Sequence, residues 1–316
     1  MTRQPDGWRR VWDAVAREWN AFFHRPEPVN GLAVFRILFG LIVLLNWILF
    51  APDLLVWLGA RGVLTPETAR RLTGGRLNLF AILPATDGWV LAVFAVAVVA
   101  ALGLTLGYRT RWCAALTFLT IVSIHHRNPL VLHSGDTLMR LIAFLLIFSP
   151  AGDALSLDRR LGRGVDRADG PVLRPPWAQR LIQLQVAILY FATAWWKIGS
   201  DAWRDGIAVY YVLRLVDFQR FPLPLEWLWI QSPAVTRLLT WTTLAVEFAM
   251  ALLVWVPRLR YPVLAAAVCL HLGLEYTLNI PVFQLLMLAC LVLFVPPWDV
   301  VRAGRRLRAR LRAVAV

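Results

Sequence analysis

Apolar residues along this chain come in blocks of roughly 15 to 22, separated by Arg-rich or Pro/Gly-rich stretches. A helix that crosses a bilayer needs about 20 mostly apolar residues. Blocks of that kind lie near 31–50, 89–107, 112–126, 138–150, 180–197, 235–256, 261–277 and 282–297. The pattern therefore predicts an all-α, polytopic integral membrane bundle of about eight transmembrane helices. The third, fourth, seventh and eighth blocks are short or polar-ended, so they are the ones expected to tilt, break or re-enter. The first 29 residues follow a different rule: Trp8, Trp12, Val15, Trp19 and Phe22 recur at helical spacing beside Arg9, Arg10 and Arg17. That is the signature of an amphipathic helix lying in the interface. With no apolar core of 7–15 residues and no small-residue cleavage site, the segment does not read as a signal peptide. The expected organisation is an interfacial helix over 1–29, a transmembrane domain over 30–297 and a basic tail over 298–316.

Composition agrees with a membrane protein. Of the 316 residues, 59% are hydrophobic and only 16% charged, against about 25% charged in soluble domains. The net charge of +14 sits in short runs beside the apolar blocks, which speaks for orientation in a bilayer and against nucleic acid as a partner. Counted on alternate connections, 21 arginines share a side with both termini and about ten lie on the other. By the positive-inside rule both termini are expected in the cytoplasm and the protein in the inner, or plasma, membrane. Three segments then face outward: 51–88, the turn HHRNPLVLHSGDTLMR, and 198–234, whose Trp203, Tyr210, Tyr211, Trp227 and Trp229 suit an interface. Cys113, Cys269 and Cys290 lie inside apolar blocks without C-x-x-C spacing, so they are expected to pack and not to form a redox pair.

The basic residues carry a sharper signal: of 33, 32 are arginine and one is lysine, Lys197, at the end of LIQLQVAILYFATAWWKIG. A GC-rich genome would replace lysine by arginine wherever only charge matters and spare it where the amine is needed. An amine partly buried beside Trp195 and Trp196 can give up its proton and serve as a base, which a guanidinium cannot. The alternative is a lysine that snorkels to the interface as an anchor, a task arginine performs equally well.

Other polar groups inside apolar blocks are functional hypotheses by default. Arg36, in GLAVFRILFG, is expected in a buried ion pair with Glu247, Glu275 or Asp136. His271 and Glu275 stand four apart on one helix face, consistent with a hydrogen-bonded core pair or a relay. Two ligands do not define a metal site, and no metal is expected. Glu247 is a further intramembrane carboxylate of the same kind. Gly103 and Gly107 form a G-x-x-x-G that lets helices approach closely. In the outward turn, Asp136 is placed to cap the next helix and to reach Arg140 four residues on. His125 and His126 are adjacent and point to different sides of a helix, so this stretch reads as a polar pocket wall in which one histidine moves a proton.

Three stretches together resemble a known family: GLAVFRILFG, the turn RNPLVLHSGDTLMR, and QLQVAILYFATAWWKIGSDAWRDG. They resemble the HTTM family, the membrane domain that bacterial proteins share with vitamin K-dependent gamma-carboxylase, over roughly residues 30 to 297. The most specific part is a Tyr-Phe pair, a lysine followed by Ile or Leu, then Trp and Gly, here Tyr190, Phe191, Lys197, Ile198, Trp203 and Gly206. The resemblance implies that Lys197 is the base that deprotonates a reduced vitamin K or menaquinol-type quinol, starting its reaction with O2 to an epoxide and generating the strong base used for carboxylation. It implies a second catalytic group at His133, favoured over His126, and a substrate site lined by Tyr190, Trp195, Trp196, Trp203, Asp136 and Arg140. The chain ends about 19 residues after the last block, without the large lumenal domain that grips the protein substrate in the animal enzyme, so a separate partner is expected to supply that domain if peptide carboxylation occurs. Three classes follow: a carboxylase-like, quinol-epoxidising enzyme; a non-catalytic lipid-binding or assembly protein; and, less favoured for want of paired broken helices, a transporter.

Overall fold

A computed structural model describes residues 7–163, 170–221, 223 and 231–314. Trp227 and Trp229, expected at the outer interface, and Arg3 and Arg167, two of the 21 arginines counted on the side of the termini, lie outside the described residues. The eight apolar blocks form helices. After the amphipathic α1 (Gly7–His24) come α2 (Asn30–Phe50), α3 (Asp87–Leu106), α4 (Thr110–Arg127), α5 (Ser134–Phe148), α6 (Trp177–Ile198), α7 (Pro233–Phe248), α8 (Arg260–Thr277) and α9 (Phe283–Leu291). The basic tail is itself a helix, α10 (Pro297–Val314). A two-residue antiparallel pair, β1 (Glu27–Pro28) with β2 (Leu173–Arg174), ties the entry of α2 to the entry of α6.

Length and hydropathy support a coarser membrane count than eight. Among the described residues four helices are long and apolar enough to cross: Asn30–Leu58, Asp87–Leu106, Trp177–Ile198 and Pro233–Leu253. A fifth span arises if Phe283–Phe294 and Pro297–Ala313, bent by 101° at their junction, count as one. The bundle closes on α2, where Phe35, Phe39, Val43 and Trp47, four residues apart, are at most 1% exposed. The opposite stripe, Leu41, Ile48 and Leu49, is half or more exposed. Such a stripe on an apolar helix is a surface for lipid.

Arg36 is fully buried, and its partners are not the carboxylates expected from the sequence. Its guanidinium donates to the carbonyl oxygens of Ala151 (3.0 Å), Leu155 (2.7 Å) and, more weakly, Thr105 (3.5 Å). A planar fork of donors matches carbonyls that a turn of loop presents side by side, and so fixes the 149–156 segment against α2 and α3. Gly107 makes the fit possible: it closes α3 in the left-handed region at φ 69°, and a Cβ there would strike both the Arg36 guanidinium and Ser156. Gly103 of the same G-x-x-x-G has a different neighbour, Cys113 of α4.

The same end contains a helix cap supplied from a distance. α4 starts after Arg109 at φ 42°, with no cap of its own. Asp158 fills the position, its Oδ1 accepting from Arg109 N (2.8 Å) and its Oδ2 from Thr110 N and Thr110 Oγ1 (both 2.8 Å). Burial pushes this carboxyl up, but the hydrogen bonds from Thr110 and Arg109 and the charge of Arg163 outweigh it and hold the group below the usual carboxylate range.

At the opposite end, buried Arg127 repeats the Arg36 device on the 51–86 connection, donating to Leu64 O (2.9 Å) and Gly59 O (3.0 Å). Asn128 Nδ2 holds Trp57 O (2.9 Å), and His126 Nδ1 meets Leu77 O (2.8 Å).

Two outcomes are expected. Arg36→Lys leaves a single ammonium to serve carbonyls that a fork now spans, and should lower unfolding stability by about 1.5–3 kcal/mol, read as a lower Tm in detergent. Asp158→Ala should cost about 1–2 kcal/mol near neutral pH. Because the folded carboxyl titrates below its unfolded value, near 3.9, its contribution is complete above that value. It is lost as pH falls through the lower folded pKa, so the gap between wild type and variant should close in acid and not in base.

Candidate functional site

A helix face repeats at three, four and seven residues. On α6 that rule puts Tyr190, Ala194 and Lys197 on one side, with Tyr190 and Ala194 buried. Trp195 and Trp196 fall on the other side and are 65% and 80% exposed. Trp195 stacks on Phe191 (6.1 Å between centroids), so the two indoles expected to line a substrate site stand outside the cluster, on the exposed side of the helix.

Across the bundle from Lys197 stands Glu247 of α7. Lys197 Nζ donates to Glu247 Oε1 in an ion pair, and the amine also lies 4.8 Å from the centroid of Trp203. Trp203 reaches back because the chain turns sharply after α6. Gly206 takes φ 76°, and a Cβ there would collide with Arg237 of α7. The Trp and Gly that follow the lysine in the sequence therefore serve the lysine: one covers it and the other allows the fold-back. Glu247 is 7% exposed, and its second oxygen, Oε2, is buried with no hydrogen-bond partner among the described residues. It is followed at once by a π-helical turn, Ala249–Leu253, a local widening often found at functional sites. Phe191 against Phe248, edge to face at 6.0 Å, closes the apolar side of the pair.

Two turns deeper on α6, Tyr190 OH meets His271 Nε2 (2.5 Å), and His271 Nδ1 meets Gln284 Oε1 (2.6 Å). With the Gln284 carbonyl accepting, Nδ1 carries the proton and Nε2 accepts from the tyrosine, an assignment dictated by the hydrogen-bond network. All three residues are buried. They draw α6, α8 and α9 together directly beneath the pair, giving a neutral, hydrogen-bonded floor to a charged couple in an apolar surround. Electrostatic forces are stronger around the Glu247 side chain, 9% exposed, than around that of Lys197, 27% exposed, because less water competes there.

The remaining expected residues lie elsewhere. Glu275 does not partner His271; it pairs with Arg220 at 2.8 Å. Arg140 does not reach Asp136. It donates to Thr137 Oγ1 (3.0 Å) and to His126 Nε2 (3.2 Å), because Asp136 is already engaged in capping α5. Its Oδ2 accepts from His133 N (2.8 Å), while His133 Nδ1 accepts from Gly135 N (3.0 Å), a reciprocal capping box. Buried His125 faces Asp136 Oδ1 at 3.6 Å. His133 rests edge-on against Phe283 (6.3 Å), the neighbour of Gln284. Asp136, Arg140, His126 and His133 thus form a helix-capping and loop-holding group, with His133 the member on the side of α9.

Gln284 and Trp203's partnership with the amine complete the site. Gln284 escaped sequence reasoning, although a lone Gln inside VFQLLMLACLVLF is a polar group in an apolar helix and so a signal of the kind that singled out Arg36. The pairing of Lys197 with Glu247, fifty residues apart, had no local signal.

The chain is 31% identical over 122 residues to the uncharacterized protein YitO of Bacillus subtilis (strain 168), a match that covers 38% of this chain and 39% of YitO. No solved structure matches at a significant level. The profile of the HTTM domain matches residues 24–298, which include every residue of the Lys197 cluster, and the chain belongs to the HTTM domain family.

Proposed function

We propose that this protein is a membrane-embedded, carboxylase-like enzyme in which Lys197 and Glu247 together take the proton of a quinol near the outer face. The observation that carries this reading is the pairing of the chain's single lysine with a buried carboxylate whose second oxygen accepts no hydrogen bond within 3.5 Å among the described residues. Burial disfavours separated charges, so a proton moves within such a couple from amine to carboxylate at little cost, leaving a neutral amine beside a carboxylic acid. The neutral amine of Lys197 then forms an N–H bond as the quinol O–H breaks, and the couple ends with ammonium and carboxylic acid, one proton richer. The open Oε2 suits the hydroxyl of an apolar ligand, and Trp203, Phe191 and Phe248 supply the apolar surround such a ligand needs. Tyr190, His271 and Gln284 fix the floor.

The reduced vitamin K or menaquinol substrate, its oxygenation by O2, and a separate protein that supplies the substrate domain all belong to this proposal. So do eight crossings with both termini in the cytoplasm of the inner, or plasma, membrane, the orientation that the arginine bias favours. In the competing reading, a non-catalytic lipid-binding or assembly protein, the ion pair only fastens α6 to α7, which is favoured by the fact that each charge already has its partner.

The two readings separate on Lys197→Arg, which keeps the charge and the ion pair and removes the base. In detergent, with reduced vitamin K or menaquinol and O2, the wild type should yield the epoxide by mass spectrometry of the extracted quinones. Lys197→Arg should yield at least about 100-fold less at an unchanged Tm. Glu247→Gln should lose activity too. Equal epoxide from wild type and Lys197→Arg would remove the lysine from the chemistry, and none from the wild type with either quinol would favour the fastening role.

A further inference from the structure

At the end of the bundle that carries both terminal helices, a groove of about 1150 Å³ runs between α2, the end of α3, the 154–160 loop and α10. Its size exceeds that of most small-molecule sites. The walls are mostly apolar, with Val34 and Ile37 of α2, Leu155 of the loop, and Leu307 and Leu311 of α10, and carry uncharged polar groups at Asn30, Thr105 and Ser156. The rim is basic, with Arg159 and Arg160 on the loop side and Arg305 and Arg308 on the α10 side, and among the described residues no lining residue is acidic. Arg159 already uses its guanidinium on Asp153 O and Gly170 O. Arg305 and Arg308, three apart on one helix face, are exposed.

We propose that this groove binds one anionic phospholipid, its phosphate on the arginine rim and an acyl chain along α2. Three features select that occupant. Among the described residues the charge is of one sign around the mouth and absent from the walls, which matches an anionic head on an apolar tail. The wall is continuous with α2, one of the helices long and apolar enough to cross a membrane, so a chain lying on it remains in the hydrocarbon layer. The axis of α10 turns 101° from the helix before it, which carries its arginines across the end of the bundle at headgroup height and sets Leu307 and Leu311 opposite α2. A soluble anion would use the rim alone and has no need of the walls. The site stands apart from the Lys197 cluster and does not rest on its chemistry.

The test uses the full chain in detergent, titrated with phosphatidylglycerol or phosphatidylcholine and read by native mass spectrometry. Arg305→Gln with Arg308→Gln should weaken phosphatidylglycerol binding about thirtyfold. Arg310→Gln with Arg312→Gln, on the same helix but outside the groove, should weaken it less than about threefold. A third variant keeps every charge and fills the space: Gly304 lines the groove, and a Cβ there meets nothing within 4 Å, so Gly304→Trp should fold and weaken binding by at least about tenfold. Equal losses in the two arginine pairs would mean diffuse surface charge and overturn the site, as would a Gly304→Trp variant that binds like wild type. Phosphatidylcholine bound as tightly as phosphatidylglycerol, or displacement of phosphatidylglycerol by millimolar inorganic phosphate, would overturn an anionic lipid as the occupant.

Discussion

A charge placed among apolar helices has no water to answer it, and this fold is arranged around how each such charge is answered. The two buried arginines among the described residues receive backbone carbonyls. Arg36 takes those of Ala151 and Leu155, and Arg127 takes those of Leu64 and Gly59. Each thereby fastens a long connection to one end of the bundle, and because a guanidinium does not give up its proton, both clamps are permanent. Lys197 is treated differently: its partner is a carboxylate, Glu247, that can hold a proton itself. In the proposed mechanism, the sequence's preference for arginine everywhere but here divides static fastening from a couple that exchanges a proton.

Helix α6 carries that couple on a polar stripe that runs the length of the bundle. Gln179 and Gln183 donate to Leu293 O (3.0 and 2.6 Å) where α9 loses its helical bonding. Tyr190 follows on the same face, bonded to His271, and then Lys197, bonded to Glu247. Each contact draws a different neighbour onto α6, so the position of the amine is set by α7, α8 and α9 together. A shift of α6 by one residue would turn the whole stripe toward lipid and leave four polar side chains without partners. Register and site geometry are therefore one constraint.

Much of this was legible in the sequence. Apolar block length located all eight bundle helices, six of them to within four residues at both ends, while α7 and α9 stop eight and six residues short of their blocks where the helix changes to a π and a 3-10 turn; a continuous run of that length in an apolar chain has helix as its only self-satisfying backbone state. The amphipathic α1 followed from its tryptophan spacing, and Lys197 stood out by count. What escaped was long-range partner choice. Arg36 was expected to seek a carboxylate because charges are easy to read in a sequence, whereas carbonyls exposed by a tight turn are not. Trp195 and Trp196 were drawn toward the site by adjacency to Lys197, although neighbours on a helix point about 100° apart; the spacing of Tyr190 and Lys197 held the correct face. Asp136 and Arg140 obeyed helical spacing, but the capping box had already claimed the carboxylate.

The central claim is that Lys197 and Glu247 take up a proton from a quinol as one unit. Infrared difference spectroscopy of the detergent-solubilised protein, with and without an added menaquinol under argon, tests it most directly by following the carboxylic C=O stretch. The account predicts that a protonated-carboxyl band appears when the quinol is added to wild type, is absent in Glu247→Gln, and is lost in Lys197→Arg, where no amine relays the proton. A carboxylate at Glu247 that stays ionised in the presence of the quinol, or the same band in Glu247→Gln, would contradict it.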